Sequence, residues 1–167
     1  TALNKIGWDL TVLVAKSFEN EVELFKKLSM SKNLSGLIIS RTLRNDERFK
    51  ILTDLKIPFV AHGRSLNCNS ASWLDVDNER AFYDMTKHFI SLGHRKIAHI
   101  CGPKVYNFSI QRIEGWKNAL FETGIQIKSE FLQVADLSFD GGKIAMDKLL
   151  KLKDLPTAVS CVSDTVA

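Results

Sequence analysis

Polar and aromatic side chains follow four apolar segments of this chain, at the points where the predicted strands end. Their types suit the recognition of a neutral, polyhydroxylated ligand such as a sugar. A guanidinium donates two parallel hydrogen bonds, a carboxylate accepts hydrogen bonds from hydroxyls, and an aromatic ring offers a flat apolar face. The candidates that follow "GLIIS", "IPFVA", "KIAHIC" and "PTAVSCV" are Arg41, Asp46, His62, Arg64, Tyr106, Phe108 and Asp164.

Each candidate also has a purely structural interpretation. The two arginines can be ordinary surface residues, and the two aromatic rings can pack beneath the loop as part of the core. Asp46 can cap the helix that follows, because a carboxylate accepts hydrogen bonds from the free amides of a first turn. His62 can be a buried histidine whose ring nitrogens are satisfied within the protein. The ligand interpretation gains weight because four strand ends carry such residues.

Short apolar runs alternate with amphipathic segments along the chain. The runs are continuous, which is typical of parallel strands covered by helices on both faces, and the fold class is therefore α/β. Ligands bind such sheets outside the carboxyl ends of the strands, where the candidate side chains lie. The predicted strands are Asp9–Ala15, Gly36–Ser40, Ile57–Ala61, Trp73–Asn78, Lys96–Cys101, Phe131–Ala135 and Pro156–Val162.

The amphipathic segments predict helices, because their apolar residues recur every three or four positions. Asp77 is the expected N-cap of the helix that follows it. Gly93 is expected to end that helix in the left-handed conformation. The predicted buried faces comprise Val22, Phe25 and Leu28; Phe49, Leu52 and Leu55; Phe82, Met85, Phe89 and Leu92; and Ile113, Trp116 and Leu120.

Composition argues against several classes of protein. The chain has 167 residues and a net charge of +4 without any long Lys/Arg block, unlike the clustered charge of a nucleic-acid-binding face. No apolar run approaches the roughly 20 residues of a membrane span, and no signal peptide is visible at the start. The three cysteines, Cys68, Cys101 and Cys161, lie far apart and fit a reducing cytosol rather than a disulfide framework.

Residue patterns for catalysis and metal binding are also missing. The four histidines do not have the spacing of metal ligands. The chain contains neither a phosphate-binding loop nor a nucleophile elbow. We therefore expect no metal, no cofactor and no enzymatic activity, and an α/β hydrolase ranks last among the functions considered.

Two segments, "SLGHRKIAHICGP" and "RIEGWKNALFETGI", together resemble the lactose-repressor/galactose-repressor family of bacterial transcription regulators. Members of that family share a Leu-Gly-His-Arg helix end, a Gly-Pro loop and an Arg-x-x-Gly-aromatic segment. "SGLIIS", "IPFV", "DVDN" and "PTAVSCVSDTVA" match in the same order, so the resemblance covers nearly the whole chain. The matching residues are Leu92, Gly93, His94, Arg95, Gly102, Pro103, Arg112, Gly115 and Trp116.

This resemblance implies a periplasmic-binding-protein-like fold with two Rossmann-like subdomains, each a parallel sheet flanked by helices. Residues 1–92 would form the N-terminal effector subdomain without its first strand. Residues 93–167 would form part of the C-terminal effector subdomain, and the DNA-binding headpiece would lie outside this sequence. On this view "GHRK" is the crossing between subdomains rather than a chemical site.

The resemblance also implies a function, namely that a small effector, expected to be a sugar, binds between the subdomains and modulates operator binding by a cytoplasmic homodimeric repressor. By position, Arg112 matches an arginine that reaches the effector, and Phe108 and Asp164 match positions that face the cleft. Where well-studied members carry a cleft aspartate this chain has Gly63, which makes His62 and Arg64 candidates for the missing contacts. The alternative is a periplasmic sugar-binding protein of a transporter.

Overall fold

The computed structural model describes residues 4–31, 34–67 and 71–167, and Cys68 lies outside these ranges. The chain forms two compact units. One comprises the described parts of Thr1–Leu37 together with Glu47–Phe59, and the other comprises Ile38–Asp46 together with the described parts of Val60–Ala167. Within the described ranges, none of the helices combines the length and the apolar character that a membrane span requires.

The first unit contains two helices, α1 (Phe18–Ser29) and α2 (Arg48–Asp54). An ion pair of 3.1 Å joins the Arg48 guanidinium on α2 to the Glu21 carboxylate on α1. The helices bury part of the faces predicted for them, which confirms the periodicity read from the sequence. The buried members of those faces are Phe25, Phe49 and Leu52.

The prediction of a strand over Asp9–Ala15 is wrong. This segment has no regular secondary structure, and the side chains of Leu10, Val12 and Val14 are 66%, 77% and 84% exposed. A strand exists only where a neighbouring strand takes its backbone hydrogen bonds, and none of the described strands pairs with this segment. Apolar, β-branched composition was therefore not sufficient to predict a strand here.

In the described part of the chain, six strands form two three-stranded sheets with the orders β1-β2-β3 and β5-β4-β6. The pairs β2–β3, β4–β5 and β4–β6 are parallel, and His99 of β4 lies opposite Leu132 of β5 and Ser160 of β6. This agrees with the α/β prediction. The strands are β1 (Leu37–Ser40), β2 (Phe59–His62), β3 (Ser72–Leu74), β4 (Ile97–Cys101), β5 (Leu132–Val134) and β6 (Ala158–Cys161).

The second unit carries three helices, and their boundaries follow the predicted caps. Asp77 caps α3, because its Oδ1 accepts a hydrogen bond of 2.9 Å from the backbone N–H of Arg80. Asn78, which the sequence assigned to a strand, is instead the first residue of α3. Gly93 follows the end of α3 with a φ of 94°, as predicted. The helices are α3 (Asn78–Ser91), α4 (Asn107–Glu122) and α5 (Phe139–Leu150).

Strand β4 lies at the centre of the core of the second unit, and all five of its residues are buried. The predicted inner face of α4 is confirmed, because Ile113, Trp116 and Leu120 are at most 3% exposed. The indole Nε1 of Trp116 donates a hydrogen bond of 3.3 Å to the carbonyl of Ile97. The predicted stripe of α3 holds at Phe82 but not at its end, since Leu92 lies past the last turn and is 63% exposed.

Candidate ligand-binding site

Arg112 lies on the first turns of α4 between two aromatic rings. Its guanidinium carbon is 5.2 Å from the ring centres of both Phe82 and Phe108, a distance at which a cation is attracted to the ring faces. Tyr106, just before α4, stacks on Phe108 with ring centres 5.6 Å apart and planes 9° from parallel. Three of the predicted site residues, Tyr106, Phe108 and Arg112, therefore form one continuous stack.

Two hydrogen bonds hold the Arg112 guanidinium in this position. Nε donates to Oδ1 of Asn78 at 2.9 Å, and Nη1 donates to the carbonyl of Val162, the residue that follows β6. In the described residues Nη2 makes no hydrogen bond, so it remains able to donate to a ligand. Burial lowers the pKa of Arg112 and the nearby Asp75 carboxylate opposes this shift, while an arginine stays charged in a protein.

Asn78 connects Arg112 to a second predicted site residue, Arg64. The Asn78 side chain is almost fully buried, and its Nδ2 donates to Oδ1 of Asp75 and to Oε1 of Gln111, both at 3.1 Å. Oδ2 of Asp75 accepts from the backbone N–H of Arg64 at 3.0 Å and from its Nε at 3.4 Å. Arg64 and Arg112 thus belong to one polar network that runs through the start of α3.

A close approach of α3 and α4 makes this network possible. Gly115 is the glycine of the Arg-x-x-Gly-aromatic segment, and a Cβ atom at this position would lie 2.1 Å from the carbonyl oxygen of Glu79 and 2.9 Å from the backbone nitrogen of Tyr83. Real Cβ contacts of that length are excluded by van der Waals repulsion, so only glycine fits between the two helices. The resulting proximity brings the side chain of Arg112 within reach of Asn78.

A second set of hydrogen bonds ties the segments after β1 and β2 to the start of α4. The carbonyl of Arg64 accepts from the Thr42 hydroxyl at 2.9 Å and from Nδ2 of Asn107 at 2.8 Å. The backbone N–H of Asn107 donates to the carbonyl of Thr42 at 3.0 Å. These bonds join segments on either side of the predicted subdomain boundary, and they fix the backbone on which Arg64 is carried.

Asp46 is fully buried in the turn after β1. Its Oδ2 accepts a hydrogen bond of 3.0 Å from the backbone N–H of Leu43. Its own backbone N–H donates to the Ser65 hydroxyl at 3.2 Å. The position next to the start of α2 belongs to Glu47, which makes no side-chain cap. Asp46 therefore stabilises a turn, and its role as a ligand contact stays a prediction.

The remaining predicted residues are exposed. Arg41 follows β1 with a φ of 53°, His62 is the last residue of β2, and Asp164 lies in the turn after β6. At Gly63, φ is +113° and a Cβ atom would lie 2.5 Å from the Thr42 hydroxyl oxygen. A residue with a Cβ atom would therefore be strained at this position.

A groove of about 280 Å³ runs along the face of α4 that carries Asn107, Gln111 and Glu114. Arg64 lines this groove, whereas Phe108 and Arg112 do not. The residues that line the groove include two arginines and two glutamates, so it carries charges of both signs; they are Arg44, Arg64, Glu79 and Glu114. Arg64 therefore lines a groove that the Tyr106–Phe108–Arg112 stack does not line, although the Asn78 network connects Arg64 to that stack.

His99 is buried beneath this stack at the centre of β4. Its ring lies edge-on to Phe82 with centres 5.1 Å apart and 6.1 Å from Trp116. Nδ1 is 3.0 Å from the Ser160 hydroxyl, while Nε2 has no hydrogen-bond partner among the described residues. Burial lowers the pKa of His99 to about 4, a hydrogen bond with Ser160 opposes this shift, and the Arg112 charge adds to it.

Other reactive groups offer no alternative site in residues 4–31, 34–67 and 71–167. Burial raises the pKa of both Cys101 and Cys161, which keeps these thiols protonated and unreactive. No group of three or more histidine, cysteine, aspartate or glutamate side chains in this part of the chain is placed to hold a metal ion.

Sequence reasoning missed the residues that orient the predicted ones. Asn78 and Asp75 lie in "DVDN", for which the sequence predicted the end of a strand and a helix cap at Asp77 but no polar network. Phe82 was predicted only as a core residue, yet it also covers one face of the Arg112 guanidinium. Trp73 lies 5.5 Å below the Arg64 guanidinium. The one sequence signal for the orienting role of Asp75 and Asn78 is that "DVDN" immediately precedes a predicted helix.

Comparison with known proteins identifies the family of this chain. A family model described as "Periplasmic binding proteins and sugar binding domain of LacI family" matches residues 1–167. The chain is 38% identical over 157 residues to the HTH-type transcriptional regulator AglR of Rhizobium meliloti (strain 1021), a match that covers 93% of this chain and 44% of AglR. The chain thus spans about half the length of the curated relatives it matches.

Solved structures agree with the sequence match. A LacI-type transcriptional regulator from Bacillus cereus subsp. cytotoxis NVH 391-98 superposes with a TM-score of 0.92 at 25% identity, over 99% of this chain and 59% of that one. A transcriptional regulator CelR–cellobiose complex superposes with a TM-score of 0.87 at 27% identity, over 99% of this chain and 51% of the other. The chain therefore belongs to the LacI family of periplasmic-binding-protein-like sugar-binding domains.

Proposed function

We propose that this chain is the effector-sensing part of a DNA-binding transcriptional regulator, and that a sugar binds beside the Tyr106–Phe108–Arg112 stack, between residues 1–92 and residues 93–167. The bound sugar changes the affinity of a homodimer in the cytoplasm for its operator DNA. Coupling of this kind requires only that the sugar bind one of two arrangements of the protein more tightly than the other.

The proposal rests on the way the Arg112 guanidinium is held in the structure. Its guanidinium is held by two hydrogen bonds and two rings, while Nη2 keeps its donors. A fixed, charged donor beside a flat aromatic surface is suited to a sugar, which presents hydroxyl acceptors at its edge and apolar C–H groups on its face. Phe108 and Tyr106 supply that surface, at the carboxyl end of β4 where ligands bind in α/β sheets.

The comparisons support the choice of a sugar and of a regulator. One of the superposed regulators, CelR, is in complex with cellobiose, so disaccharides belong in the first set of ligands to test. Relatives of this chain, AglR among them, are transcriptional regulators, which favours this function over the periplasmic transport component. A sensing role needs binding groups and no catalytic group, and we therefore propose that the chain is not an enzyme.

The test is isothermal titration calorimetry of the full-length protein against mono- and disaccharides that include glucose and cellobiose. At least one sugar should bind, and it should change the affinity for a DNA duplex that the protein selects from a random library. Arg112→Ala should weaken sugar binding roughly 10- to 100-fold, because hydrogen bonds to charged groups contribute about 1.5–3 kcal/mol.

Arg95→Ala is the matched control. Arg95 is exposed, and within the described ranges it donates to the carbonyls of Ile90 and His94 alone, away from the stack, so its loss should leave sugar affinity unchanged. The proposal fails if no sugar binds, if DNA affinity ignores every sugar that does bind, or if the two arginine variants weaken binding equally.

A further inference from the structure

Among the described residues, Asn78 alone is hydrogen-bonded to both Arg112 and Asp75. It is 1% exposed, and each of its side-chain polar atoms is bonded. Oδ1 accepts from Nε of Arg112 at 2.9 Å, and Nδ2 donates to Oδ1 of Asp75, to Oε1 of Gln111 and to the carbonyl of Val76 at 3.1–3.2 Å. A buried amide satisfied on both sides orients its neighbours because any displacement leaves a polar group unpaired.

The chemistry of the position requires an amide. The guanidinium of Arg112 needs an acceptor, while the carboxylate of Asp75 and the carbonyl oxygen of Gln111 need a donor. An aspartate at position 78 would satisfy Arg112 but would face the Asp75 carboxylate at the present bonding distance of 3.1 Å. Two carboxylates in that arrangement repel each other.

We infer that Asn78 is a positioning residue for Arg112, which sets the plane of the guanidinium between its two rings and aims Nη2 at the effector. The inference rests on the proposed function in one respect, namely that Arg112 is the residue that contacts the effector. Through Asp75 the same amide connects the guanidinium of Arg112 to Arg64. Asn78 itself touches no ligand and acts through Arg112.

The first test needs no ligand. In ¹⁵N-resolved NMR spectra of the full-length protein, the Arg112 Nε–H signal, assigned by its loss in Arg112→Lys, should exchange slowly with water because it is bonded to a buried amide. Asn78→Ala should accelerate that exchange at least tenfold, the loss of one hydrogen bond to a charged group. Unchanged exchange in Asn78→Ala overturns the inference, whatever the protein binds.

The control for this experiment is Asn118→Ala. Asn118 lies on the same helix as Arg112, and its Nδ2 donates to the Glu79 carboxylate at 2.9 Å, so an asparagine bond between α3 and α4 is removed without touching the guanidinium. Arg112 Nε–H exchange should be as slow in this variant as in the unmodified protein. Equal acceleration in both variants means that general loosening of the helices is the cause, and this also overturns the inference.

The second test is a double-mutant cycle on sugar binding. Asn78→Ala alone should weaken binding roughly tenfold, but it should have less than about a twofold effect when Arg112 is already alanine, because it acts through that residue. An equal loss in both backgrounds overturns the inference. Failure of the unmodified protein to bind any sugar overturns the proposed function instead, and leaves the NMR result to decide on Asn78.

A conservative swap separates positioning from mere occupancy of space. Asn78→Asp should weaken sugar binding, whereas Asn78→Asp combined with Asp75→Asn should recover it to within about threefold, because the donor and the acceptor between the two positions are exchanged and Arg112 keeps an acceptor. The Gln111 amide can turn over and donate to the new carboxylate through Nε2, so if the swapped protein binds as weakly as Asn78→Asp alone, the bonding pattern is not what orients Arg112 and the inference is wrong.

Discussion

The two sheets of this protein each have a middle strand, and the two middle strands are buried to different degrees. All five residues of β4 are buried, whereas in β2 only Ala61 is, and Val60 is 42% exposed. Both strands have a neighbour on each side, so pairing does not explain the difference. Apolar side chains of α4 and α5, including Trp116 and Leu149, pack in the core around β4. The difference in burial between the two strands therefore follows from their helical cover rather than from their position in the sheet.

Two tryptophans provide the largest test of this comparison. Trp116 is 0% exposed against β4, and Trp73, in the first sheet, is 46% exposed. Trp116→Ala should lower the free energy of unfolding by about 3–5 kcal/mol, because it removes a fully buried side chain and leaves a cavity. Trp73→Ala should cost about 1 kcal/mol, since it removes mainly an exposed contact with a guanidinium. Urea unfolding monitored by circular dichroism measures both, and similar losses would contradict the distinction between the sheets.

The pH dependence of stability gives a second test of the comparison, through the buried His99. His99 is buried in β4 and its pKa is lowered to about 4, while in the unfolded chain a histidine titrates near 6.5. The unfolded state therefore takes up the proton first as pH falls. The contribution of neutral His99 to the free energy of unfolding is fully present above pH 6.5. It is lost as the pH falls from 6.5 to 4, and the total loss is on the order of 3 kcal/mol.

Two variants isolate the contribution of His99 in unfolding curves recorded between pH 7 and 4. His99→Leu should flatten the pH dependence over this window, because leucine keeps the contacts with Phe82 and Trp116 but does not titrate. Ile100→Val, at a neighbouring buried position of β4, removes no titratable group and should leave the slope as it is. An identical slope in the unmodified protein and in His99→Leu would show that another group is responsible.

Gly115 gives the smallest expected effect, and it tests how the helical cover of β4 is held. Alanine is favoured over glycine in a helix interior by about 1 kcal/mol. Its Cβ atom would nevertheless lie 2.1 Å from the backbone carbonyl of Glu79, which no side-chain rotation relieves. We expect Gly115→Ala to destabilise the protein by about 1–3 kcal/mol, as in other overpacked sites.

Thermal and urea unfolding of Gly115→Ala should be compared with Lys117→Ala on the same helix. Lys117 is 39% exposed and pairs with Glu114, and an exposed pair contributes about 0–1 kcal/mol. If Gly115→Ala is as stable as this control, or more stable than the unmodified protein, the contact between α3 and α4 yields more easily than the structure indicates.

Features that depend on nearby residues were predictable from the sequence. The face of α4 formed by Ile113, Trp116 and Leu120 follows from the 3.6-residue period of a helix. The cap at Asp77 and the stop at Gly93 follow from the conformational preferences of single residues. Tyr106 and Phe108 were predicted from their place just after a strand, and Arg112 from the family resemblance, but the stacking of the three side chains was not predicted.

Features that depend on distant partners were not predictable. Asp9–Ala15 has the composition of a strand, but a strand needs a neighbour, and composition does not say whether one is present. The sequence placed Asn78 at the end of a strand, and its role becomes visible only when Gly115 brings Arg112 to it. Asp46 was equally consistent with a cap and with a ligand contact, and its backbone N–H donates to the Ser65 hydroxyl, which lies 19 residues away in the sequence.

The burial of Trp116 also gives this protein an internal optical reporter. Of the three tryptophans, Trp8 and Trp73 are about half exposed and Trp116 is not exposed at all. A water-soluble quencher such as iodide therefore reaches the first two, and the emission that survives comes from an indole 6.1 Å from His99. His99 in turn contacts Phe82, the ring on which Arg112 lies. The residual fluorescence reports, without any added label, on the packing directly beneath the arginine.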